Sequence, residues 1–311
     1  MSGRNRYFFI VNPKAGKCSC LTEISDFVKE LHRDGIHAEI LYSQKRGDCE
    51  NYAAKISEQA KELKQVSCIF ACGGDGTLNE VVNGVLRNGI NEWAYITHIP
   101  RGSGNDFIKS FSHPEMFRPA DMFTRGIISR KIDVMRVNDR YCLNICSIGL
   151  DARICDGMNK YRKLPSGKMS YGASVAENLV KGRLSSPMRV CIGNNYDRAG
   201  DITMVCICNG SWYGGGYNPV PEASIQDGQL DVLIVNKVSP LKAATIVNAY
   251  KKGNYAEHPK IVQHYRTDES ISVKPIKPEP VNVDGEIFWP DMVEINVLKG
   301  YINFFAPMEA W

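Results

Sequence analysis

From Cys72 to Gly84 the chain reads Cys-Gly-Gly-Asp-Gly-Thr-Leu-Asn-Glu-Val-Val-Asn-Gly, a stretch suited to holding phosphate. Gly73, Gly74 and Gly76 lack the Cβ that would keep an anion away from backbone N–H groups. A helix expected from about Leu78 adds unpaired donors and a partial positive charge at its N-terminus. The Gly-Lys-Ser/Thr ending of a P-loop is missing. Thr77 as a helix cap and Glu80 three residues on, with Asn79 between them, have the spacing of a capping box. That structural reading leaves Asp75 unexplained. A carboxylate among phosphate-binding amides repels an anion unless a cation bridges the two, which points to a nucleotide carried with Mg²⁺.

Two further loops carry related chemistry. Tyr7–Val11 runs into Asn12-Pro13-Lys14-Ala15-Gly16-Lys17, a small-residue turn with two lysines suited to a di- or triphosphate. Ile99 leads into Pro100-Arg101-Gly102-Ser103-Gly104-Asn105-Asp106-Phe107. Each of the three loops follows an expected parallel strand. All three therefore gather at one edge of a sheet, where open α/β folds bind ligands. Coincidence explains one such loop well and three poorly.

The second half offers acids on turns. Asp284-Gly285-Glu286 places two carboxylates on one tight turn, and Asp-Gly by itself is the commonest hairpin signal. Asp227-Gly-Gln229-Leu-Asp231 reads as a turn entering a strand. The histidines (His32, His37, His98, His113, His258, His264) show no paired metal spacing and read as surface or packing residues. Eleven cysteines is a high count, but no Cys-x-x-Cys pair occurs. Most sit in apolar segments and read as reduced, buried small hydrophobes of a cytosolic protein. A zinc site is the sharper alternative, and it lacks the spacing.

The elements that must position these groups change character near residue 130. Before it, strands at Tyr7–Val11, Ala38–Tyr42, Val66–Cys72 and Tyr95–Ile99 alternate with helices at Leu21–Leu31, Cys49–Leu63 and Leu78–Leu86. That alternation predicts a mostly parallel sheet with helices on both faces. After it, strands are expected at Val134–Val137, Tyr141–Ile148, Met188–Ile192, Ile202–Cys208, Leu230–Val235, Ile271–Val273, Val281–Val283 and Val293–Val297. Turns such as Asn138-Asp139 and Asp284-Gly285 separate several of them, the pattern of an antiparallel β domain. A helical segment at Tyr171–Val180 interrupts it, flanked by Lys160, Arg162, Lys163, Lys168, Lys181 and Arg183. These cations form either a solvated face or a basic face toward a membrane or a phosphorylated substrate.

With 311 residues the chain suits two domains. Its net charge of +4 is too small to argue for nucleic acid, yet permits contact with phosphates or an anionic membrane if the cations cluster. No apolar run approaches the ~18 residues of a membrane span, and Tyr7–Val11 is too short for a signal segment.

In order along the chain, these motifs resemble those of the diacylglycerol kinase catalytic-domain family, which includes soluble bacterial diacylglycerol kinases and YegS-like lipid kinases. Gly73-Gly-Asp-Gly-Thr-Leu-Asn-Glu80 follows Asn12-Pro-x-x-Gly16. Pro100-x-Gly-Ser-x-Asn-Asp-Phe107 is similar to the family's third loop, with Ser103 in place of its usual Thr. Gly214-Gly-Gly216, Pro221-x-Ala223, Asp227-Gly-x-Leu-Asp231 and Asn282-x-Asp-Gly-Glu286 resemble its second-domain signatures. The resemblance implies an α/β domain with a parallel sheet, of the NAD kinase and phosphofructokinase kind, at 1–130 plus about 298–311. A β-rich antiparallel lipid-substrate domain would occupy 131–297, with a cleft between the two and the segment near Tyr301–Phe305 returning to the first.

It further implies transfer of the γ-phosphoryl group of ATP, with Mg²⁺, to a lipid hydroxyl, most directly diacylglycerol to phosphatidic acid. Asn12, Pro13, Lys14, Ala15, Gly16, Ser43, Gly73, Gly74, Asp75, Gly76, Thr77, Asn79, Glu80, Ser103, Asn105 and Asp106 would surround the nucleotide. Glu286 would be the proton acceptor, Asp284 a metal-linked or base partner, and Asp75 the link to Mg²⁺. A second Mg²⁺ would rest on Asp227 with Ser224 and Gln229 offering main-chain oxygen. Such an enzyme would be cytoplasmic, peripheral to the inner face of the membrane, and in similar enzymes a homodimer. An NAD kinase-like nucleotide kinase and a non-catalytic lipid- or nucleotide-binding regulator are the rival readings.

Overall fold

A computed structural model describes residues 5–16, 19–161, 167–180, 182 and 184–311. The chain forms two units, Met1–Val134 with Lys299–Trp311, and Met135–Leu298.

The first unit runs β1 (Arg6–Val11), α1 (Ser19–Arg33), β2 (Ala38–Tyr42), α2 (Asp48–Leu63), β3 (Ser67–Gly73), α3 (Asp75–Leu86), β4 (Ala94–Pro100), α4 (Asp121–Thr124) and the start of β5 (Ile127–Val137). β3 is buried along its whole length, and β1 from Tyr7 on. Such continuous apolar runs suit central parallel strands covered on both faces. The order is β2-β1-β3-β4, all parallel. The end of the last strand, β15 (Val293–Pro307), lies parallel to β4 through Asn303 and Phe304. Phe9 stacks on Phe70 with ring centroids 4.3 Å apart. α2 and α3 meet through small residues: a Cβ on Gly84 would stand 2.2 Å from the Glu50 carbonyl oxygen and 2.8 Å from the Ala53 Cβ.

The second unit holds β6 (Arg140–Cys142), β7 (Ile145–Gly149), α5 (Leu150–Lys160), α6 (Gly167–Val180), β8 (Ser186–Ile192), β9 (Tyr196–Cys208), β10 (Leu230–Asn236), α7 (Pro240–Lys251), β11 (Val262–Thr267), β12 (Ile271–Pro275), β13 (Val281–Val283), β14 (Glu286–Phe288) and the start of β15. Its strand pairs are antiparallel. The last residues of β9 lie between β7 and β10. Alternating inward residues such as Met188, Val190 and Ile192 build the core with Val205, Ile207, Val232 and Ile234.

Several elements differ from the sequence reading. α5, α7 and β11 were not expected. Along α7 the apolar residues Leu241, Ala243, Ala244, Ile246 and Val247 point all round the helix, so no one-sided period marks it. The expected Tyr141–Ile148 strand is broken at Leu143–Asn144, whose N–H groups turn to a side chain described below. Cys49, Cys68, Cys72, Cys142, Cys146, Cys206 and Cys208 are buried free thiols, and no metal-holding cluster of His, Cys, Asp and Glu occurs among the described residues. Of the flanking cations near α6, Lys160 pairs with Glu177 at 2.9 Å. Arg162, Lys163, Lys181 and Arg183, the Lys168 side chain and Lys17 lie outside the described residues. No helix among the described residues is long and apolar enough to cross a membrane.

Candidate active site

The strand order of the first unit reverses between β1 and β3, and ligands of open α/β sheets bind at such a switch point. The loops after β1, β3 and β4 interlock there. Asn12 donates its N–H to the Cys72 carbonyl at 3.0 Å and its Nδ2 to Thr77 Oγ1 at 3.3 Å. Its Oδ1 accepts from the Lys14 N–H at 3.0 Å, and its carbonyl from the Ala15 N–H at 3.1 Å. Arg101 donates its N–H to the Gly73 carbonyl at 2.6 Å. Gly16, at φ +75°, sits where a Cβ would meet the Arg101 carbonyl oxygen at 2.4 Å. A Cβ on Gly102 would lie 2.6 Å from the Gly74 Cα. Asn105, at φ 49°, closes its turn by accepting from the Gly102 N–H and donating to the Gly102 carbonyl. The three loops form one cradle of closely spaced main chain, with Gly76 and Ser103 exposed on it.

Within the cradle some expected roles change. α3 begins at Asp75, three residues before Leu78, with Gly74 as its cap and no side-chain cap bond. The capping box of Thr77 and Glu80 therefore does not form. The Thr77 hydroxyl receives Asn12, and Glu80 Oε1 accepts from the Gly47 N–H at 3.0 Å, holding the start of α2. Asp75 Oδ1 accepts from the Phe107 N–H at 3.1 Å, and its Oδ2 lies beside Gly104. Asp75 thus sits on the cradle with an oxygen toward the third loop, a placement that fits a nucleotide-bound Mg²⁺. Asp106 is turned inward and pairs with Lys109 at 2.5 Å, so it braces the loop. Asn79 is buried in α3 and receives Asn83 Nδ2 at 3.1 Å on Oδ1. Ser43 is buried, donating its N–H to the Val11 carbonyl at 2.9 Å. Pro13 is half-buried, and exposed Lys14 reaches the Gln44 carbonyl at 3.5 Å. Beneath the loops, His98 places Nε2 3.0 Å from the Gly73 carbonyl oxygen. Burial holds the His98 pKa below the ordinary histidine value, against the opposing pull of the Asp75 charge.

In the second unit Val283 pairs with Glu286 across a two-residue hairpin. Its central residues Asp284 and Gly285 have φ of 49° and 92°, as a type I′ turn requires. The hairpin reading of this sequence and its chemical reading thus coexist. The Asp284 carboxylate accepts from the N–H groups of Leu143, Asn144 and Ile145 at 2.7, 3.0 and 3.0 Å and from the Cys142 thiol at 3.2 Å. Asp284 therefore anchors the β6–β7 break, with both of its oxygens engaged by main chain. Glu286 follows on β14, half-buried. Asn282 Oδ1 accepts from the Gly285 N–H at 2.8 Å and fixes the turn from inside.

Asp227, expected to hold a second Mg²⁺ with the main-chain oxygens of Ser224 and Gln229, is turned toward two neighbours. One Asp227 oxygen is bonded to the Arg266 guanidinium and the other accepts from the Gln229 N–H at 2.8 Å. Ser224 Oγ accepts from the Gln226 N–H at 3.3 Å.

One feature of the second unit had no signal in the sequence reading. An apolar cavity of about 260 Å³ lies among α5, α6, α7 and the end of β10, lined by Ile154, Val175, Val235, Ile246 and others. Tyr213 and Tyr217, brought together by the Gly214-Gly215-Gly216 turn at positive φ, form part of its wall. Among the described residues the one acid in the lining is Asp151. Burial raises its pKa, outweighing hydrogen bonds from Ser147, Asn282 and Tyr213.

Phosphate-type loops at the switch point of a parallel sheet, with an antiparallel unit following in the chain, place the molecule among phosphoryl-transfer enzymes. More narrowly, it belongs to the diacylglycerol kinase-like family and is a lipid kinase. Residues 6–137 match the diacylglycerol kinase catalytic domain, and residues 144–306 the YegS C-terminal NAD kinase beta sandwich-like domain. A Staphylococcus haemolyticus protein provisionally named a lipid kinase is 32% identical over 281 residues, covering 88% of this chain and 87% of its own. A diacylglycerol kinase of Staphylococcus saprophyticus is 28% identical over 310 residues, covering 98% and 96%. The fold is shared with a diacylglycerol kinase crystal structure from Bacillus anthracis strain Sterne, at a TM-score of 0.69 and 20% identity, with 98% of each chain covered.

Proposed function

We propose that this lipid kinase transfers the γ-phosphoryl group of ATP to the hydroxyl of a membrane lipid, with diacylglycerol the leading acceptor. The observation that carries the lipid side is the apolar cavity of the second unit, which suits an acyl chain and offers a soluble dinucleotide almost nothing to bind. The glycine cradle supports the nucleotide side. Main-chain N–H groups and the α3 N-terminus at Gly73–Gly76 would hold phosphates, and Asp75 would carry Mg²⁺. ATP supplies the phosphoryl group, and Mg²⁺ offsets its charge. Glu286 takes the proton of the acceptor hydroxyl, held in place by a turn that Asn282 and Asp284 fix from either side. Leu241 is 81% exposed on α7, the helix whose Ala243, Ala244 and Ile246 line the cavity. This supports a peripheral membrane contact at α7.

Radiolabelled ATP is offered with diacylglycerol, phosphatidylglycerol and a sphingoid base in mixed micelles, and separately with NAD⁺. Labelled phosphatidic acid is expected, and formation of NADP⁺ in place of any labelled lipid overturns the reading. Glu286→Gln is expected to lower kcat by about 10²-fold or more while leaving KM for ATP unchanged.

A further inference from the structure

Among the described residues the cavity wall is mostly apolar. Asp151, on the first turn of α5, lines it beside the Tyr213 side chain. The Asp151 carboxyl receives the Ser147 hydroxyl at 2.5 Å. Ser147 in turn receives Asn282 Nδ2 at 3.3 Å, and Asn282 Oδ1 holds the Gly285 N–H at 2.8 Å. The Tyr213 and Tyr250 hydroxyls stand 3.3 Å apart, and both rings line the same cavity. A hydrogen-bonded chain thus runs from the wall of the lipid cavity to the turn that carries Glu286.

We infer that Asp151 is a specificity-determining residue of the acceptor site: it donates a hydrogen bond to the ester carbonyl of an acyl chain lodged in the cavity. Among the described residues no cation stands beside Asp151, and an acid so placed at a largely apolar wall costs least when neutral. Burial displaces its pKa in that direction. A neutral carboxyl is a donor, and an acyl ester offers an acceptor and no charge. A long-chain amine would instead need the ionised form. Asp151 sits one polar link from Asn282, so the ester it holds is placed relative to the Asp284-Gly-Glu286 turn rather than merely retained in the cavity. This inference rests on the lipid-kinase reading above and names the feature of the lipid that is read.

The test uses the full chain and separates binding from transfer. Binding of monooleoylglycerol, of its 1-O-alkyl ether analogue and of octadecylamine is measured by intrinsic fluorescence, and phosphorylation of the first two is measured independently. The wild type is expected to bind the ester about tenfold tighter than the ether. Asp151→Asn, which keeps an N–H donor, retains that ratio; Asp151→Leu, at unchanged Tm, reduces it to near unity through loss of ester affinity alone. Equal binding of ester and ether by the wild type overturns the inference. So does a ratio that survives Asp151→Leu, or tighter octadecylamine binding that Asp151→Asn abolishes. A preserved ester preference without phosphate transfer to either lipid counts against the kinase reading for these lipids and leaves the Asp151 assignment standing.

Discussion

Asp284 Oδ2 accepts the main-chain N–H of Leu143 at 2.7 Å, joining two points 141 residues apart. Its other oxygen serves Asn144 and Ile145. All three donors belong to buried residues, and a buried N–H without a partner costs roughly 1–3 kcal/mol. Asp284→Ala is therefore expected to lower stability by on the order of 3 kcal/mol, read as a shift of the urea midpoint. Glu286→Gln should leave that midpoint unchanged. If the two variants lose activity with equal stability, the separation of anchor from proton acceptor is wrong.

Gly102 and Gly74 are packed main chain to main chain. Gly102→Ala would drive a Cβ to 2.6 Å from the Gly74 Cα, and backbone at both sides leaves no flexible group to yield. The cradle must open, and KM for ATP is expected to rise tenfold or more, with KM for lipid unaffected. An alanine variant with wild-type ATP kinetics would show that the cradle is not the nucleotide site.

His98 gives a pH signature. Its folded-state pKa is depressed by burial, so near and below the ordinary value of about 6.5 the unfolded chain binds the proton that the folded chain refuses. Stability is fully present above that pH and falls as pH drops through it. His98→Gln should flatten Tm against pH between about 5 and 7 relative to the wild type. Identical slopes for the two proteins would contradict a neutral buried His98.

At the α2–α3 crossing, Gly84→Ala places a methyl 2.2 Å from the Glu50 carbonyl oxygen. Overpacking of this kind costs about 1–3 kcal/mol, opposing the small helix-propensity gain of alanine. A net fall in Tm is expected in calorimetry, and a rise would mean the two helices separate freely.

Leu241→Glu tests the membrane contact. Leu241 is exposed and outside the cavity lining, so phosphorylation of a short-chain, soluble diacylglycerol should be unchanged. Co-sedimentation with anionic vesicles should fall several-fold. Unaltered vesicle binding would place the contact elsewhere.

The sequence by itself determined the parallel half of the fold. Tyr7–Val11 and Cys68–Cys72 are apolar without interruption, and each is followed by a loop of small residues with glycine. Local chemistry of that kind sets both strand type and loop function. It also marked Asp75 and the Asp284–Glu286 turn as places where carboxylates needed an explanation. Only the tertiary structure decided what each acid touches. Asp284 and Glu286 differ by two positions, yet one meets three N–H groups from residues 143–145 while the other stands on β14. Asp227 meets Arg266, 39 residues on, a neighbour that no local pattern announces. Asp151 has no motif at all; it becomes notable because α5, α7 and the Tyr213–Tyr217 turn surround it with apolar wall. Hydrogen bonding and desolvation depend on neighbours distant in sequence, and those neighbours are fixed by packing rather than by local pattern.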